Sequence, residues 1–485
     1  MADPKGFLKY KRKTAHYRPV SERIKDYNEV EERLPDDERR AQASRCMDCG
    51  VPFCHWACPL GNCMPEYQDR LYRGNWDGAW ALLQETGPFS EFTGRLCPAL
   101  CEASCVLGAN DEAVTCRQNE LAVIERAFER GLVTPRLPAR RNGKKAAVVG
   151  SGPAGLSAAY YLNRAGFSVT VFEGDKQAGG YLRYGIPFFK LEKHIIDRRI
   201  ALMEAEGVVF KTNTRIGGGR FAFGTSGGGA QVLPARELLD SFDAVLLAIG
   251  AREARDLAVP GRELGGVYQA LDYLSAQNRL LSGENPEGEP LSACGRKVLV
   301  IGGGDTGSDC VGTARRQGAL EVTQIELLPR PPDTRPASQP WPLWAGLFKT
   351  TSSHEEGCRR LWGVNTKAFC GENGAVTHTR LCEVAWEGAG GRPAMTEAAG
   401  SDFELETGLV VLAMGFTHVV QDGLVADMAL EKDERGNIKT DGHCRTSNSK
   451  VWAAGDSRSG ASLIVRALAD GRHAAGEICD AFRCQ

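Results

Sequence analysis

One short pattern occurs twice in this chain, at Gly150 and at Gly302, and it restricts the fold more than any other feature. Val148-Val149-Gly150-Ser151-Gly152-Pro153-Ala154-Gly155 reads G-x-G-x-x-G after an apolar strand, Lys145–Gly150, and before a helical stretch. In a βαβ unit Gly150 allows the tight turn, Gly152 lets the backbone approach a pyrophosphate, and Gly155 lets the helix pack on the sheet. Pro153 and Ala154 open that helix, whose first N–H groups face the phosphates. Glu173 ends the next predicted strand, Ser168–Glu173, where an acid accepts hydrogen bonds from ribose hydroxyls. Gly180 and Arg183 follow it as further candidate contacts. Val300-Ile301-Gly302-Gly303-Gly304-Asp305-Thr306-Gly307 repeats the logic, with Glu326 near the end of the strand Val322–Leu327. Two dinucleotide sites are therefore expected.

The nature of the first site is indicated at the far end of the chain. Val451-Trp452-Ala453-Ala454-Gly455-Asp456 is an apolar strand ending in Gly-Asp, followed by a helical stretch, Ser462–Ala481. This resembles the second FAD fingerprint of two-dinucleotide-binding flavoproteins. The resemblance implies that Asp456 holds the ribityl or pyrophosphate region, and that the helix beginning near Ser462 and Leu463 points N–H groups at the flavin edge where charge develops on reduction. Ala248-Ile249-Gly250-Ala251 and Ala413-Met414-Gly415-Phe416 fit the crossovers between two nucleotide domains. The second site, lying inside the first in sequence, is then the nicotinamide domain. An acid such as Glu326 suits the free 2′-hydroxyl of NADH, whereas a nearby arginine suits the 2′-phosphate of NADPH. Leu327 and Leu328 follow the strand directly, so NADH is the expected reductant. Arg330 and Arg335 come soon after and keep NADPH open.

Cysteine is concentrated upstream. Of 17 cysteines, nine fall between Cys46 and Cys116. The run is Cys46-x2-Cys49-x4-Cys54-x3-Cys58-Pro59, then Cys97-Pro98-x2-Cys101-x3-Cys105. A basic, polar start, Met1–Lys13, is not a secretory signal, so a cytoplasmic protein is expected and these thiols are expected to bind metal or do redox chemistry rather than form disulfides. Zinc is the rival to iron–sulfur clusters. There are more cysteines than one tetrahedral site uses, and Cys58-Pro59 resembles the Cys-Pro closing two-cluster ferredoxin runs. The only C-x-x-C, Cys46/Cys49, lies away from the nicotinamide site, which disfavours dithiol chemistry of the thioredoxin reductase kind.

Residues 1–140 carry helical periodicity at Glu66–Arg73, Trp76–Thr86 and Gln118–Arg130. The expected architecture is α/β: a helical iron–sulfur domain (1–140), then two Rossmann-like domains, one inserted in the other. The FAD-binding domain is expected in two segments, 141–260 and 409–485, with the NAD(P)H-binding domain, 261–408, between them. A net charge of −2 gives no reason to expect nucleic acid or an anionic membrane, and no apolar run approaches a membrane span. A glycine-rich hairpin or loop, Gly217–Gly229, has no assigned role. No general acid or base is required, because hydride passes from one cofactor to the other.

Taken with Gly6-Phe7-Leu8, Tyr17-Arg18-Pro19-Val20, Cys46–Cys54, Gly94-Arg95-Leu96-Cys97-Pro98, Leu327–Pro332 and Pro340-Trp341-Pro342, these motifs make almost the whole chain resemble the small (β) subunit of glutamate synthase, NADH-type branch. The N-terminal part of dihydropyrimidine dehydrogenase is built similarly. The resemblance implies one [4Fe–4S] cluster on Cys46, Cys49, Cys54 and Cys105, and a second on Cys58, Cys97, Cys101 and a non-cysteine ligand matched to Glu120. Cys63 and Cys116 depart from the family. Cys63 reads as replacing an apolar residue, and Cys116 competes with Glu120 as fourth ligand. The partner implied is a large subunit with FMN and a glutaminase site, where glutamine and 2-oxoglutarate give glutamate. A nicotinamide gives electrons in pairs and clusters take them singly, so an FAD between the two is the converter. The readings left beside this one are a reductase of the same build serving a pyrimidine reductase or a bifurcating complex, and a non-enzymatic iron–sulfur scaffold.

Overall fold

A computed structural model describes residues 2–219, 230–284, 290–387 and 394–483. Two five-stranded parallel sheets organise the molecule. The first runs Val451–Ala453, Ala244–Leu247, Lys145–Val149, Ser168–Phe172, Val209–Lys211. The second runs Arg359–Trp362, Glu321–Glu326, Lys297–Ile301, Leu409–Leu412, Val267–Gln269. The second is inserted between strands of the first. The central strands are buried along nearly their whole length, as in parallel sheets covered on both faces.

Three features differ from the sequence expectations. The strand Leu409–Leu412 pairs with Lys297–Ile301 and Val267–Gln269, so the inserted sheet extends beyond residue 408. A short apolar strand carries no mark of which sheet it joins; its register against Val298–Ile301 decides. An antiparallel sheet of Val364–Glu372, Ala375–Glu387, Ala394–Glu397 and Phe403–Glu406 was not anticipated. Its signal was Asn373-Gly374, both at positive φ (52° and 78°), the pair that suits a tight hairpin turn. Finally, Thr214–Ile216 and Gln231–Leu233, which flank the expected hairpin or loop Gly217–Gly229, pair in parallel rather than in the antiparallel sense of hairpin strands; residues 220–229 lie outside the described residues.

The N-terminal domain is helical. Met64–Tyr72, Trp76–Thr86 and Cys116–Glu129 are its principal helices, and Asn75 caps the second by accepting from the Gly78 N–H. It shares a core with the first nucleotide domain, where Phe89 meets Tyr160 edge-on at 5.6 Å. Beneath that contact Glu91 and Arg199, both fully buried, form a bidentate pair at 2.5 and 3.0 Å. Removing either partner would strand a charge in a dry interface, a cost of about 3–5 kcal/mol. The N-terminal arm reaches the inserted domain as well, where buried Arg23 donates to Glu356 (2.8 Å) and to the Ser352 carbonyl (2.8 Å). These buried polar links hold three domains in one arrangement. No helix among the described residues is long and apolar enough to cross a membrane.

Candidate cofactor and cluster sites

The first glycine turn opens on a cleft. Gly150 has φ +99°, and a Cβ there would lie 2.4 Å from the Ala248 carbonyl oxygen; only glycine serves. Gly152 caps the helix Pro153–Arg164, and a Cβ there would meet nothing within 4 Å. The space over Gly152 is thus an open cradle at a helix N-terminus, which fits a pyrophosphate. Gly155 lies against the Gly150 carbonyl, where a Cβ would come within 1.9 Å. Glu173 is buried beside the cradle, accepts from the N–H groups of Ser151 (3.1 Å) and Asp175 (3.0 Å), and also accepts from the Ser151 hydroxyl. Burial and the neighbouring Asp175 push its carboxyl pKa up.

Gly180, Gly250 and Asp456 line the same cleft. Asp456 accepts from the Ser462 hydroxyl at 2.8 Å, and Gly455 packs against Ala154. The C-terminal helix begins just after Leu463, running Ile464–Arg483. Gly155, Gly455, Ser462 and Leu463 are not among the residues lining the cleft. Nor is Arg183, whose guanidinium is buried, donating to the Ala178 carbonyl (2.6 Å) and Asp197 (2.5 Å). Its proximity in sequence to Gly180 says nothing of direction, and the short helix Tyr181–Tyr184 turns it inward.

The second turn repeats the first. A Cβ at Gly302 would lie 2.2 Å from the Ala413 carbonyl oxygen and one at Gly307 2.2 Å from that of Gly302, whereas Gly304 is open. Gly304 caps the helix that starts at Asp305, and Thr306 lines a small pocket with Gly415 and Phe416. Glu326 lies over Gly303 and accepts from Trp362 Nε1 at 2.9 Å. The arginine beside it is Arg360, at 3.7 Å. Arg330 instead pairs with Asp333 (2.7 Å) and stacks on Phe348, and Arg335 donates to the carbonyls of Gln339 and Leu343. Arg360 comes from a strand far along the chain, so nothing near Glu326 in sequence announced it. Tyr181 was missed too. It lines the first cleft, stacks on Phe416 at 5.8 Å, and its hydroxyl accepts from Arg252 (3.2 Å). The Tyr181–Phe416 pair thus stands between the two nucleotide sites.

The cysteines separate into two pockets. Cys46, Cys49, Cys54 and Cys105 line one, and Cys58, Cys97, Cys101 and Glu120 line the other. Every described cysteine is free. Burial raises the thiol pKa values of Cys46, Cys58 and Cys97 to about 12, and a metal cation bound there would release their protons. Glu120 is buried with a carboxyl pushed up to about 7 by burial; it accepts from Thr93 and, at 3.3 Å, from Asn62. Cys116 faces the first pocket rather than the second, and Cys63 lines neither. Among the described residues no three His, Cys, Asp or Glu side chains converge on a single-ion site. Four thiols around one pocket, and three thiols and a carboxylate around the other, are a donor set that fits an iron–sulfur cluster.

Residues 23–132 match the family described as dihydropyrimidine dehydrogenase domain II, 4Fe-4S cluster, and residues 144–471 match pyridine nucleotide-disulphide oxidoreductase. The chain is 48% identical to the glutamate synthase [NADPH] small chain of Mycobacterium tuberculosis, over 99% of this chain and 96% of that one. It belongs to the glutamate synthase small-chain family. The small chain of Bacillus subtilis is 39% identical over 99% of this chain and 98% of its own. Glutamate synthase [NADH] of Schizosaccharomyces pombe is 40% identical over 98% of this chain, which spans 22% of that longer protein. Mycobacterium tuberculosis FprA in complex with NADPH shares the fold, with a TM-score of 0.51 at 20% identity over 70% of this chain and 86% of that one. As a member of this family the chain is an NAD(P)H-dependent flavoprotein oxidoreductase with an iron–sulfur domain.

Proposed function

We propose that this chain is the NADH-oxidising half of a glutamate synthase. In this reading it binds FAD at Gly150–Gly155, Glu173, Gly180, Gly250 and Asp456, and NADH at Gly302–Gly307 and Glu326. It holds one [4Fe–4S] cluster on Cys46, Cys49, Cys54 and Cys105, and another on Cys58, Cys97, Cys101 and Glu120. It serves a large subunit carrying FMN and a glutaminase site.

The observation that carries this reading is the C-terminal helix. Val465 lines the second cysteine pocket, while Ala467 two residues on lines the flavin cleft. Two residues of helix rise only about 3 Å, so one short stretch of helix borders both the cleft proposed for FAD and a pocket of proposed cluster ligands. Bound FAD supplies the exchange between paired and single electrons. The residues do the rest by position. Gly152 and the helix behind it hold the pyrophosphate, and Tyr181 and Phe416 bound the space where the two rings meet. Buried Arg23 and Arg199 keep the three domains in register. Asn62 and Thr93 hold Glu120 toward the second pocket.

The test is to purify the native chain with its partner and follow oxidation of NADH and NADPH with glutamine and 2-oxoglutarate present. Glutamine-dependent oxidation of NADH yielding glutamate is expected. Dye reduction by NADH with no glutamine-dependent turnover would move the chain to a reductase of the same build serving another partner.

For the reductant, Glu326 rather than an arginine lies over the glycine turn. Glu326→Ala is expected to weaken NADH binding about tenfold, the loss of one charge-assisted hydrogen bond of ~1.5 kcal/mol, and to leave NADPH binding nearly unchanged. Equal losses for the two cofactors, measured by titration of the purified protein, would remove the preference.

A further inference from the structure

Glu326 is held by one hydrogen bond, and the donor comes from the neighbouring strand. Arg359–Trp362 runs parallel to Glu321–Glu326 with Trp362 opposite Glu326, so the two side chains leave the same face of the sheet. The indole N–H donates to Glu326 Oε1 at 2.9 Å, and no other group among the described residues hydrogen-bonds this carboxylate. Arg360 approaches the same oxygen only to 3.7 Å and donates instead to the Lys349 carbonyl at 2.9 Å. Oε2 is left without a donor. The carboxylate lies directly over Gly303, so close that a Cβ there would overlap it, and the Glu326 side chain keeps 19% exposure. One oxygen is tethered, and the other remains to accept at the second glycine turn. The indole is itself fixed. Phe348 meets it edge-on at 5.8 Å, the Arg360 guanidinium lies over its ring at 4.9 Å, and the next N–H, that of Gly363, donates to the Leu328 carbonyl (3.1 Å).

Resting on the reading that Glu326 accepts from the ribose of NADH, we infer that Trp362 is a positioning residue that sets the preference for a reductant with a free 2′-hydroxyl over one with a 2′-phosphate. A glutamate at a strand end has three rotatable bonds and loses that freedom when a ligand fixes it. With Oε1 already held by a rigid donor, the ordering is complete before the cofactor arrives, which strengthens binding. The indole carries a donor and no acceptor, so its proton has one use here. The gain is selective. A ribose hydroxyl has a proton to give to Oε2. A 2′-phosphate is an anion and an acceptor, and it draws no benefit from a carboxylate held in place.

The test is calorimetric titration of the FAD-loaded protein with NAD+ and NADP+, the oxidised forms, which bind without reducing the flavin and carry the same two ribose ends. Trp362→Phe removes the indole N–H and keeps a ring against Phe348 and Arg360. Its affinity for NAD+ is expected to fall about fivefold, less than the roughly tenfold expected when the carboxylate itself is removed, with NADP+ within about twofold of wild type. Made in the Glu326→Ala background, the same change should move neither affinity by more than about twofold, since the contact it acts through is already gone. Trp362→Leu, which also lacks a donor, takes the place of Trp362→Phe if that variant does not fold. Equal losses for both cofactors in Trp362→Phe, with Glu326→Ala still selective, would leave Trp362 a packing residue and overturn the inference. Wild-type affinities would overturn it too, as would a fivefold loss that persists in the Glu326→Ala background. Glu326→Ala lowering both affinities alike is a different result: it removes the ribose reading, and this inference with it.

Discussion

Gly152→Asp is expected to abolish flavin binding and NADH-to-dye reduction together while the protein still folds. Gly152 has φ −68°, a value any residue adopts, and a Cβ there meets nothing within 4 Å. The fold itself places no demand on this glycine. A carboxylate on it would project into the open cradle at the start of the helix Pro153–Arg164. A pyrophosphate in that cradle would face a like charge at about 4 Å, a repulsion of ~4 kcal/mol at the effective dielectric of a partly exposed site. That corresponds to roughly a thousandfold loss of affinity. Gly155 is a poor choice for the same experiment, since a side chain there would collide with the Gly150 carbonyl and confuse binding with folding. The measurement is flavin released per chain, with dye reduction and the thermal midpoint followed in parallel. A yellow, dye-active variant would show that the cradle does not hold the pyrophosphate.

Cys49→Ser is expected to separate the two halves of the chemistry. NADH-to-dye activity should remain within about twofold of wild type, because none of the cleft-lining residues comes from the cysteine domain and distant, unshared sites act independently. Delivery of electrons to the partner should fall about a hundredfold or more, since even the groups standing behind a metal ligand are worth about 10–100-fold. Cys49 lines the first pocket beside Cys46, Cys54 and Cys105 and is only partly buried. The variant would lose one of four ligands on the side of the relay remote from the flavin cleft. Unchanged partner reduction would count against a relay through this pocket. Joint loss of flavin and dye activity would show instead that Cys49 supports the fold.

Much of the site was legible because its demands are local. A backbone that turns at φ +99° under the Ala248 carbonyl requires glycine whatever surrounds it, so Gly150 and Gly302 can be read without knowing the rest of the molecule. The spacing of Cys46, Cys49 and Cys54 is similarly a property of one loop. What escaped notice depends on partners remote in sequence. Arg360 stands beside Glu326 because its strand pairs in register with Glu321–Glu326. Tyr181 matters because it meets Phe416. Arg183 lies near the cleft in sequence but is aimed at Asp197. The antiparallel sheet differs from these, since the Asn373-Gly374 turn that marks it is itself a local signal.

The amino-acid order alone determined that two glycine turns would each precede a helix, that an acid would end the following strand, and that nine cysteines gather upstream of both turns. These follow from backbone geometry and side-chain chemistry within short segments. Only the tertiary structure decided that Leu409–Leu412 joins the inserted sheet, that Cys116 faces the first pocket rather than the second, and that one helix touches both the cleft at the first glycine turn and a cysteine pocket. Those outcomes depend on which buried surfaces pack together across hundreds of residues, and packing is a property of the whole assembled interior rather than of any segment.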